Sequence, residues 1–188
     1  MSVLLPAGLP AGFTLEPATG AHAPEVFEML AAERIDAFGF CPDSLEDVRA
    51  DLEPTASTAI ELVVRDSEGS VSQWWVALTD PGDPVFHAWI SSHPRLGATV
   101  HDELSSVGWS LLLDWIRGQA QGGVRTVEVR SGCEAGSDAG HRRLQNAGFT
   151  HRRTFWEMIG PVTEQTRTGR SVPGLTISAT DDTRAIHA

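Results

Sequence analysis

The sequence predicts a mixed α/β domain in which helices cover a central sheet. Two kinds of pattern carry this prediction: apolar residues alternate with polar ones in several short segments and recur at helical spacing in others. Along the chain these segments follow the order β, α, α, β, β, β, α, β, α, β, so that strands and helices are interleaved. With 188 residues, the chain is long enough for one well-buried domain with tails.

The first half of the sequence is expected to supply four strands and two helices. Alternation over residues 12–19 predicts an opening strand, and apolar residues recur at helical spacing from Glu25 to Phe38. Ser44, followed three residues later by Asp47, approximates a capping box and begins a second, short helix. Three strands follow, at Ile60–Arg65, Val71–Leu78 and Val85–Ser92, the first two joined by a Gly-containing hairpin turn.

The second half begins with a segment that has the composition of a ligand-binding loop. We expect a long polar loop from His93 to Gly108, containing Gly97, and then an apolar helix. Leu111, Leu112, Trp115 and Ile116 form the apolar stripe of that helix. The remaining elements are a short strand at Thr126–Arg130, a helix over 137–147 that ends at Gly148, and a last strand at Phe149–Ile159.

Composition and charge narrow the classes of partner. The net charge of −11 repels polyphosphate backbones, so we expect neither nucleic acid nor an anionic membrane surface as the main partner. No apolar run approaches the roughly 20 residues that span a bilayer, and the first residues lack a basic segment and are interrupted by Pro6 and Pro10. We therefore expect a cytoplasmic protein that acts on small molecules or proteins. Cys41 and Cys133 lie too far apart to indicate a disulfide framework.

The tail of the sequence echoes its beginning. Gly12–Leu15 reads GFTL and Gly174–Ile177 reads GLTI, with an Ala-Thr pair soon after each. The similarity is short, so a true internal repeat and a coincidence both stay open. The predicted organisation is a tail at 1–11, a domain at 12–160, a linker at 161–173, and at 174–188 either the start of a second copy or a C-terminal tail.

Two motifs carry a resemblance to a known family. Leu144–Phe149, LQNAGF, is followed by a charged segment, and His93-Pro94 comes directly after the strand Phe86–Ser92. With the order of elements, these motifs resemble the GNAT superfamily of acyl-CoA-dependent N-acyltransferases, from about Gly12 to Gly160. The resemblance implies a GNAT-like mixed, mostly antiparallel sheet of about six to seven strands, flanked by about four helices. It also implies acetyl-CoA as co-substrate and transfer of its acetyl group to an amine.

The same resemblance implies where acetyl-CoA binds. In the family, a loop of the form Arg/Gln-x-x-Gly-x-Gly/Ala gives backbone amides to the CoA pyrophosphate at the next helix start, where unpaired amides and the helix dipole favour an anion. Aligning Gly108 with the last glycine implies an insertion in this loop and places Glu103, of the wrong charge, at the Arg/Gln position. The implied cofactor-binding residues are Ile90, Ser91 and Ser92 at the strand end and Val107, Gly108, Trp109 and Ser110 at the helix start.

The residues for the chemistry are less clearly marked. The family's general-acid tyrosine corresponds to Leu144, and the chain contains no Tyr. His87 and Glu128 are the candidate general bases, with His93 a weaker one, and each has the alternative of being a surface residue. The spacings of His87, His93 and His101 match no metal motif, so we expect no metal.

Further residues keep two interpretations each. Trp74 and Trp75 point to opposite faces of their strand, so at least one is core and the other faces a cleft or a partner. His141-Arg142-Arg143 and His151-Arg152-Arg153 either meet a nucleotide 3′-phosphate or form a solvated face. Cys133 with His141 is a weak candidate for a nucleophile pair, because a buried inert thiol is the commoner role.

The resemblance to the GNAT superfamily implies two alternative functions. The first is an N-acetyltransferase that acts on a small-molecule or peptide amine, which the sequence does not identify. The second is a catalytically degenerate GNAT domain that serves as a CoA-binding or scaffolding module beside a catalytic partner domain, either a second GNAT-like domain or a second copy of the chain. Leu144 and Glu103 favour the second function for this domain.

Overall fold

The computed structural model describes residues 8–53, 58–80, 83–120, 127–133 and 137–154. The strands are β1 (Thr14–Pro17), β2 (Thr58–Arg65), β3 (Val71–Thr79), β4 (Val85–Ser92) and β5 (Glu128–Arg130). The helices are α1 (Ala23–Phe38), α2 (Leu45–Asp51), α3 (Ala98–Ala120) and α4 (Asp138–Asn146). A single 3₁₀ turn, Gly20–His22, precedes α1.

The five strands form one mixed sheet in the order β1-β2-β3-β4-β5. The first four pair antiparallel to their neighbours, and β5 pairs parallel to β4. A mixed, mostly antiparallel sheet with four helices is therefore confirmed, although the described residues hold five strands instead of six or seven. The parallel pair exists because α3 carries the chain back between β4 and β5.

Helices cover both faces of the sheet, and alternation along the strands builds one apolar core on each face. On the α3 and α4 face, Trp75 packs with Leu104, Leu112 and Ile116. On the α1 and α2 face, Trp74 packs with Met29 and other residues of the two helices. Trp74 and Trp75 thus point to opposite faces as predicted, and both are core residues, 3% and 0% exposed.

The helix ends follow local sequence signals. The Ser44 side chain accepts a hydrogen bond from the Asp47 amide, and the Asp47 carboxylate accepts one from the Ser44 amide, so the predicted capping box of α2 is confirmed. Gly39 ends α1 with φ 80°, a left-handed conformation that favours glycine. These signals act within one turn, which is why the sequence alone reveals them.

The predicted start of the third helix after Gly108 is wrong, because α3 begins at Ala98. The first helical hydrogen bond runs from the His101 amide to the Gly97 carbonyl at 2.9 Å, which makes Gly97 the N-cap. Asp102 and Glu103 are exposed on the outer side of these first turns, and His101 is half-buried against the sheet, where it meets Ser92. Their polarity resembles that of a loop and hides the helical spacing of the buried residues.

Gly108 lies inside α3 because the helix approaches the sheet closely at this point. A Cβ atom on Gly108 would lie 2.8 Å from Ile90 Cδ1 and 2.8 Å from Trp75 Cε2. Its role is therefore close packing of a helix on a sheet. The insertion implied by placing Gly108 at the helix start is also wrong, since the connection from β4 to α3 spans residues 93–97 alone.

The end of the predicted domain is described in part. Residues 149–154 form no strand, so the predicted last strand is wrong over that range, and its residues 155–159 lie outside the described residues. The Phe149 ring instead packs on Trp109, with 5.1 Å between ring centroids, and its amide closes the end of α4 on the Leu144 carbonyl. The predicted linker at 161–173 and the segment at 174–188 also lie outside the described residues.

Candidate active site

The sheet opens between β4 and β5. Their parallel pairing ends at His87 and Arg130, whereas β4 continues to Ser92 in its pairing with β3. The last part of β4 therefore has no strand partner on its β5 side within the described residues. We call this gap, beside residues 88–92, the β4–β5 opening.

Hydrogen-bond directions show which backbone groups face the opening. The His93 amide donates to Ser72 of the neighbouring segment on the β3 side at 2.9 Å, and Pro84 accepts from Glu128 on the β5 side at 3.1 Å. Because successive residues of a strand point their backbone groups to opposite edges, Ile90 and Ser92 face the opening and Ser91 faces β3. An extended ligand can thus pair with the backbone carbonyls of both residues and with the Ile90 amide, as another strand would.

A carboxylate from α1 reaches this open edge. The Ser92 amide donates to Glu33 Oε1 at 3.3 Å, across 59 positions of sequence. Glu33 is half-buried. It was not among the residues singled out from the sequence, because no local pattern distinguishes it from the other acidic residues of α1.

The N-terminus of α3 lies directly after β4 and presents free amides. The amides of Ala98, Thr99 and Val100 precede the first helical hydrogen bond, and none has an acceptor among the described residues. Gly97 provides no side chain to cap them. This end of the helix therefore combines unpaired N–H groups with the positive end of the helix dipole.

A buried chain of hydrogen bonds fixes this helix end to the sheet. Trp75 Nε1 donates to Gln73 Oε1 at 2.7 Å, so the Gln73 amide group must donate to Ser92 Oγ, at 2.9 Å. Ser92 Oγ lies 2.8 Å from His101 Nε2 and has its proton free to donate. Burial, reinforced by nearby Arg143, lowers the pKa of His101 to about 4, so the ring is a neutral acceptor at physiological pH.

A groove of about 380 Å³ separates α3 from α4. Its basic lining residues are Arg117, Arg142 and Arg143. Arg143 bonds Asp102 at 2.6 Å, near the start of α3. The basic cluster predicted from the sequence thus lies partly in this groove.

The resemblance implied that four backbone amides bind the CoA pyrophosphate, those of Val107, Gly108, Trp109 and Ser110. This expectation depended on a helix start after Gly108, which is wrong. Inside α3, their N–H groups donate to carbonyls one turn back along the helix. The free amides are those of Ala98, Thr99 and Val100. Glu103 is exposed on α3 and is not the residue that precedes the helix.

The predicted bases lie away from the open end. His87 and Glu128 face the same side of the sheet, near the point where β4 and β5 still pair. Glu128 bonds Arg130 at 2.8 Å, and His87 is exposed. His93 Nδ1 accepts from the Arg95 amide at 3.1 Å, and burial lowers the pKa of His93.

The remaining residues that the sequence suggested lie in packed or surface positions of the fold. Leu144 packs against the core on the α3 and α4 face. Cys133 is exposed and packs against Gly140, where a Cβ atom would lie 2.8 Å from Cys133 Cβ. His141 has its ring 6.2 Å from the ring of His151. Among the described residues, no group of three or more His, Cys, Asp and Glu side chains is arranged to hold a metal ion.

Glu61, on β2, is a half-buried carboxyl on the α1 and α2 face of the sheet. Its Oε2 atom is buried without a hydrogen-bond partner among the described residues. Burial, with repulsion from Asp51 added, raises the pKa of Glu61 to about 7. In the folded protein Glu61 is therefore mostly protonated only below about pH 7.

Glu61→Gln should make the protein more stable at pH 8 without changing its stability near pH 4. The stabilising effect of a protonated Glu61 is present below pH 4.5 and is lost as the pH rises to about 7. After allowance for partial solvation, the gain of the variant at pH 8 is about 1 to 2 kcal/mol. Urea unfolding of both proteins across this pH range measures it, with Glu53→Gln as a surface control. A constant difference between Glu61→Gln and the parent at all pH values would contradict the assignment.

Comparison with solved structures identifies the fold. A GCN5-related N-acetyltransferase from Sphaerobacter thermophilus matches with TM-score 0.59 and 20% identity, over 73% of this chain and 43% of that one. A tandem GNAT protein from the clavulanic acid biosynthesis pathway matches with TM-score 0.50 and 15% identity, over 72% and 43%. Aminoglycoside acetyltransferase AAC(6')-Ib in complex with coenzyme A matches with TM-score 0.53 and 13% identity, over 74% and 85%.

These matches show that the chain has the GNAT fold, as the sequence motifs implied. The chain spans 43% of the length of the first two of these proteins. No protein-family model matches the sequence, and no curated protein matches it either. In the part of the chain that the structure describes, no helix is long and apolar enough to cross a membrane.

Proposed function

We propose that the chain binds acetyl-CoA in the β4–β5 opening and that its acetyl group is transferred there to an amine. The observation that carries this proposal is the juxtaposition of an unpaired strand edge with a helix N-terminus whose first amides are free. The pantetheine arm would pair with the backbone carbonyls of Ile90 and Ser92, because the Ser92 amide already donates to Glu33. The diphosphate would accept hydrogen bonds from the first amides of α3. We place this reaction in the cytoplasm.

Two arginines support a diphosphate at this position. Arg95 lies in the short connection before α3, where it pairs with Asp66 at 3.2 Å, and Arg143 lies beside the first turn, where it pairs with Asp102 at 2.6 Å. The local sequence is Arg95, Leu96, Gly97 and Ala98, a shortened form of the loop implied by the resemblance. The neighbour in complex with coenzyme A is consistent with this use of the fold.

The chemistry would be direct attack of the amine on the thioester carbonyl. The Ile90 amide faces the opening and is the donor that would polarise this carbonyl. Leu144 cannot protonate the leaving thiolate, so water would supply that proton. General acid catalysis typically contributes about 10² to 10⁴ in rate, so we expect slow turnover.

Calorimetric titration with acetyl-CoA tests the binding site, with Ala98→Pro as the variant. Proline is favoured at the first helical position, so the fold should persist while one free amide is lost. We expect binding at micromolar Kd by the parent and roughly tenfold weaker binding by the variant, as for one lost charge-assisted hydrogen bond. S-Acetylpantetheine, which lacks the diphosphate, is the matched ligand control, and its affinity should not change. Absence of binding at millimolar acetyl-CoA would contradict the proposal.

The second function, a binding or scaffolding module beside a catalytic partner domain, is favoured by one surface. Ile35, Phe38 and Phe40 at the end of α1 are 54%, 50% and 40% exposed. Such side chains in one patch are typical of a protein contact. Acetyl-CoA binding without release of CoA thiol in the presence of any amine would support this function, and turnover by the isolated chain would contradict it.

A further inference from the structure

Glu33 brings a carboxylate from the α1 face to the open edge of β4. Its Oε1 atom accepts from the Ser92 amide. Ser92 and Ile90 face the same edge and are separated by one residue, roughly 6.5 Å along a strand. The carboxylate thus lies about two residues of strand length from the Ile90 amide, which under the proposed function receives the thioester carbonyl.

The other candidate bases lack this position. His87 and Glu128 lie where β4 and β5 are still paired, and Glu128 bonds Arg130. The His93 ring accepts from the Arg95 amide and follows the strand instead of facing its open edge. His101 already accepts from Ser92 Oγ on the opposite, α3 face of the sheet.

The net charge of the chain favours a cationic acceptor. An amine is an ammonium ion near neutral pH, and a chain with net charge −11 attracts cations. A half-buried carboxylate can form a charge-assisted hydrogen bond with the ammonium group. The proton of that hydrogen bond can then transfer to the carboxylate, which acts as a general base.

We infer that Glu33 is a catalytic residue, which binds the ammonium group of the acceptor and removes the proton that keeps it from attacking the thioester. This inference rests on the proposed function and adds to it the identity of the base and the cationic nature of the acceptor.

The proton transfers balance in the following way. The ammonium gives one proton to Glu33, and the neutral nitrogen forms a bond to the carbonyl carbon. The nitrogen then loses a second proton as the carbon–sulfur bond breaks. That second proton reaches the CoA thiolate through water. The amide and CoA thiol leave, and Glu33 returns its proton to solvent.

Glu33→Gln is the first test variant, because the amide oxygen can still accept from the Ser92 amide and preserve the fold. Asp36→Asn is the matched control, since Asp36 is exposed on the same helix and the substitution removes the same charge. The assay measures thiol release from acetyl-CoA with kanamycin, spermidine, L-lysine methyl ester and alanyl-alanine. Calorimetry measures the Kd of acetyl-CoA for each protein.

We expect kcat/KM of Glu33→Gln to fall about 100- to 10,000-fold with the Kd of acetyl-CoA unchanged, whereas Asp36→Asn keeps the parent's values. Glu33→Ala should regain turnover when formate is added, which a structural role would not produce. Turnover of Glu33→Gln within threefold of the parent would overturn the inference. So would acetyl-CoA binding without thiol release from any amine of the panel, which leaves the binding site of the proposed function intact. Lack of acetyl-CoA binding by the parent would overturn both.

Discussion

Replacing Gln73 by leucine should lower the free energy of unfolding by about 3 kcal/mol. The substitution nearly preserves volume but leaves the Trp75 indole N–H buried without its acceptor and removes the donor to Ser92 Oγ. A buried polar group that loses its partner costs about 1 to 3 kcal/mol. Gln73 is 0% exposed, so water cannot replace the lost partners.

Urea unfolding measures this loss, and the shift of the Trp75 indole N–H proton in an NMR spectrum reports the broken hydrogen bond directly. Ser105→Ala is the matched control, because the bond from Gln73 to Ser105 Oγ is long, 3.4 Å. We expect that variant to lose less than about 1 kcal/mol. Equal stability of Gln73→Leu and the parent would show that this hydrogen-bond chain does not hold α3 to the sheet.

Gly108→Val should also destabilise the fold by about 3 kcal/mol, at the upper end of the usual cost of overpacking a core. The added carbons would meet Ile90 Cδ1 and the rigid ring of Trp75, each 2.8 Å from the first of them. Ile90 can rotate away, but the Trp75 ring is held by its hydrogen bond to Gln73. The helix must therefore move off the sheet.

Gly118→Val is the control for this substitution, since Gly118 lies in the same helix and a Cβ atom there meets no atom within 4 Å. Its stability should change by less than about 0.5 kcal/mol. Thermal unfolding should show a Tm lower by about 6 to 12 °C for Gly108→Val alone. A parallel loss in both variants would indicate that helix propensity, not packing, explains the effect.

Helix α1 connects the exposed patch of Ile35, Phe38 and Phe40 to the β4–β5 opening. Glu33 is followed within the same helix by Ile35 and Phe38, which are exposed. A partner that covers this patch would therefore lie near the mouth of the β4–β5 opening. In the first proposed function an amine reaches Glu33, and in the second a protein surface does. Turnover by the isolated chain distinguishes the two functions.

The sequence by itself determined the order of the elements from β1 to α4, the capping box at Ser44 and the opposite directions of Trp74 and Trp75. Each of these depends on residues within one or two turns of each other, whose periodicity and hydrogen bonding are local. The LQNAGF segment and the element order were also sufficient to indicate the GNAT fold, which the structural matches confirmed.

Only the tertiary structure decided the start of α3, the role of Gly108 and the position of Glu33. The first turns of α3 are polar on their outer side. Their helical character is evident only from the packing of Leu104 and Gly108 on the sheet. Glu33 meets Ser92 across 59 positions, and the opening exists because β5 stops pairing at Arg130. Contacts between distant segments depend on how helices and strands pack, and no local pattern encodes that packing.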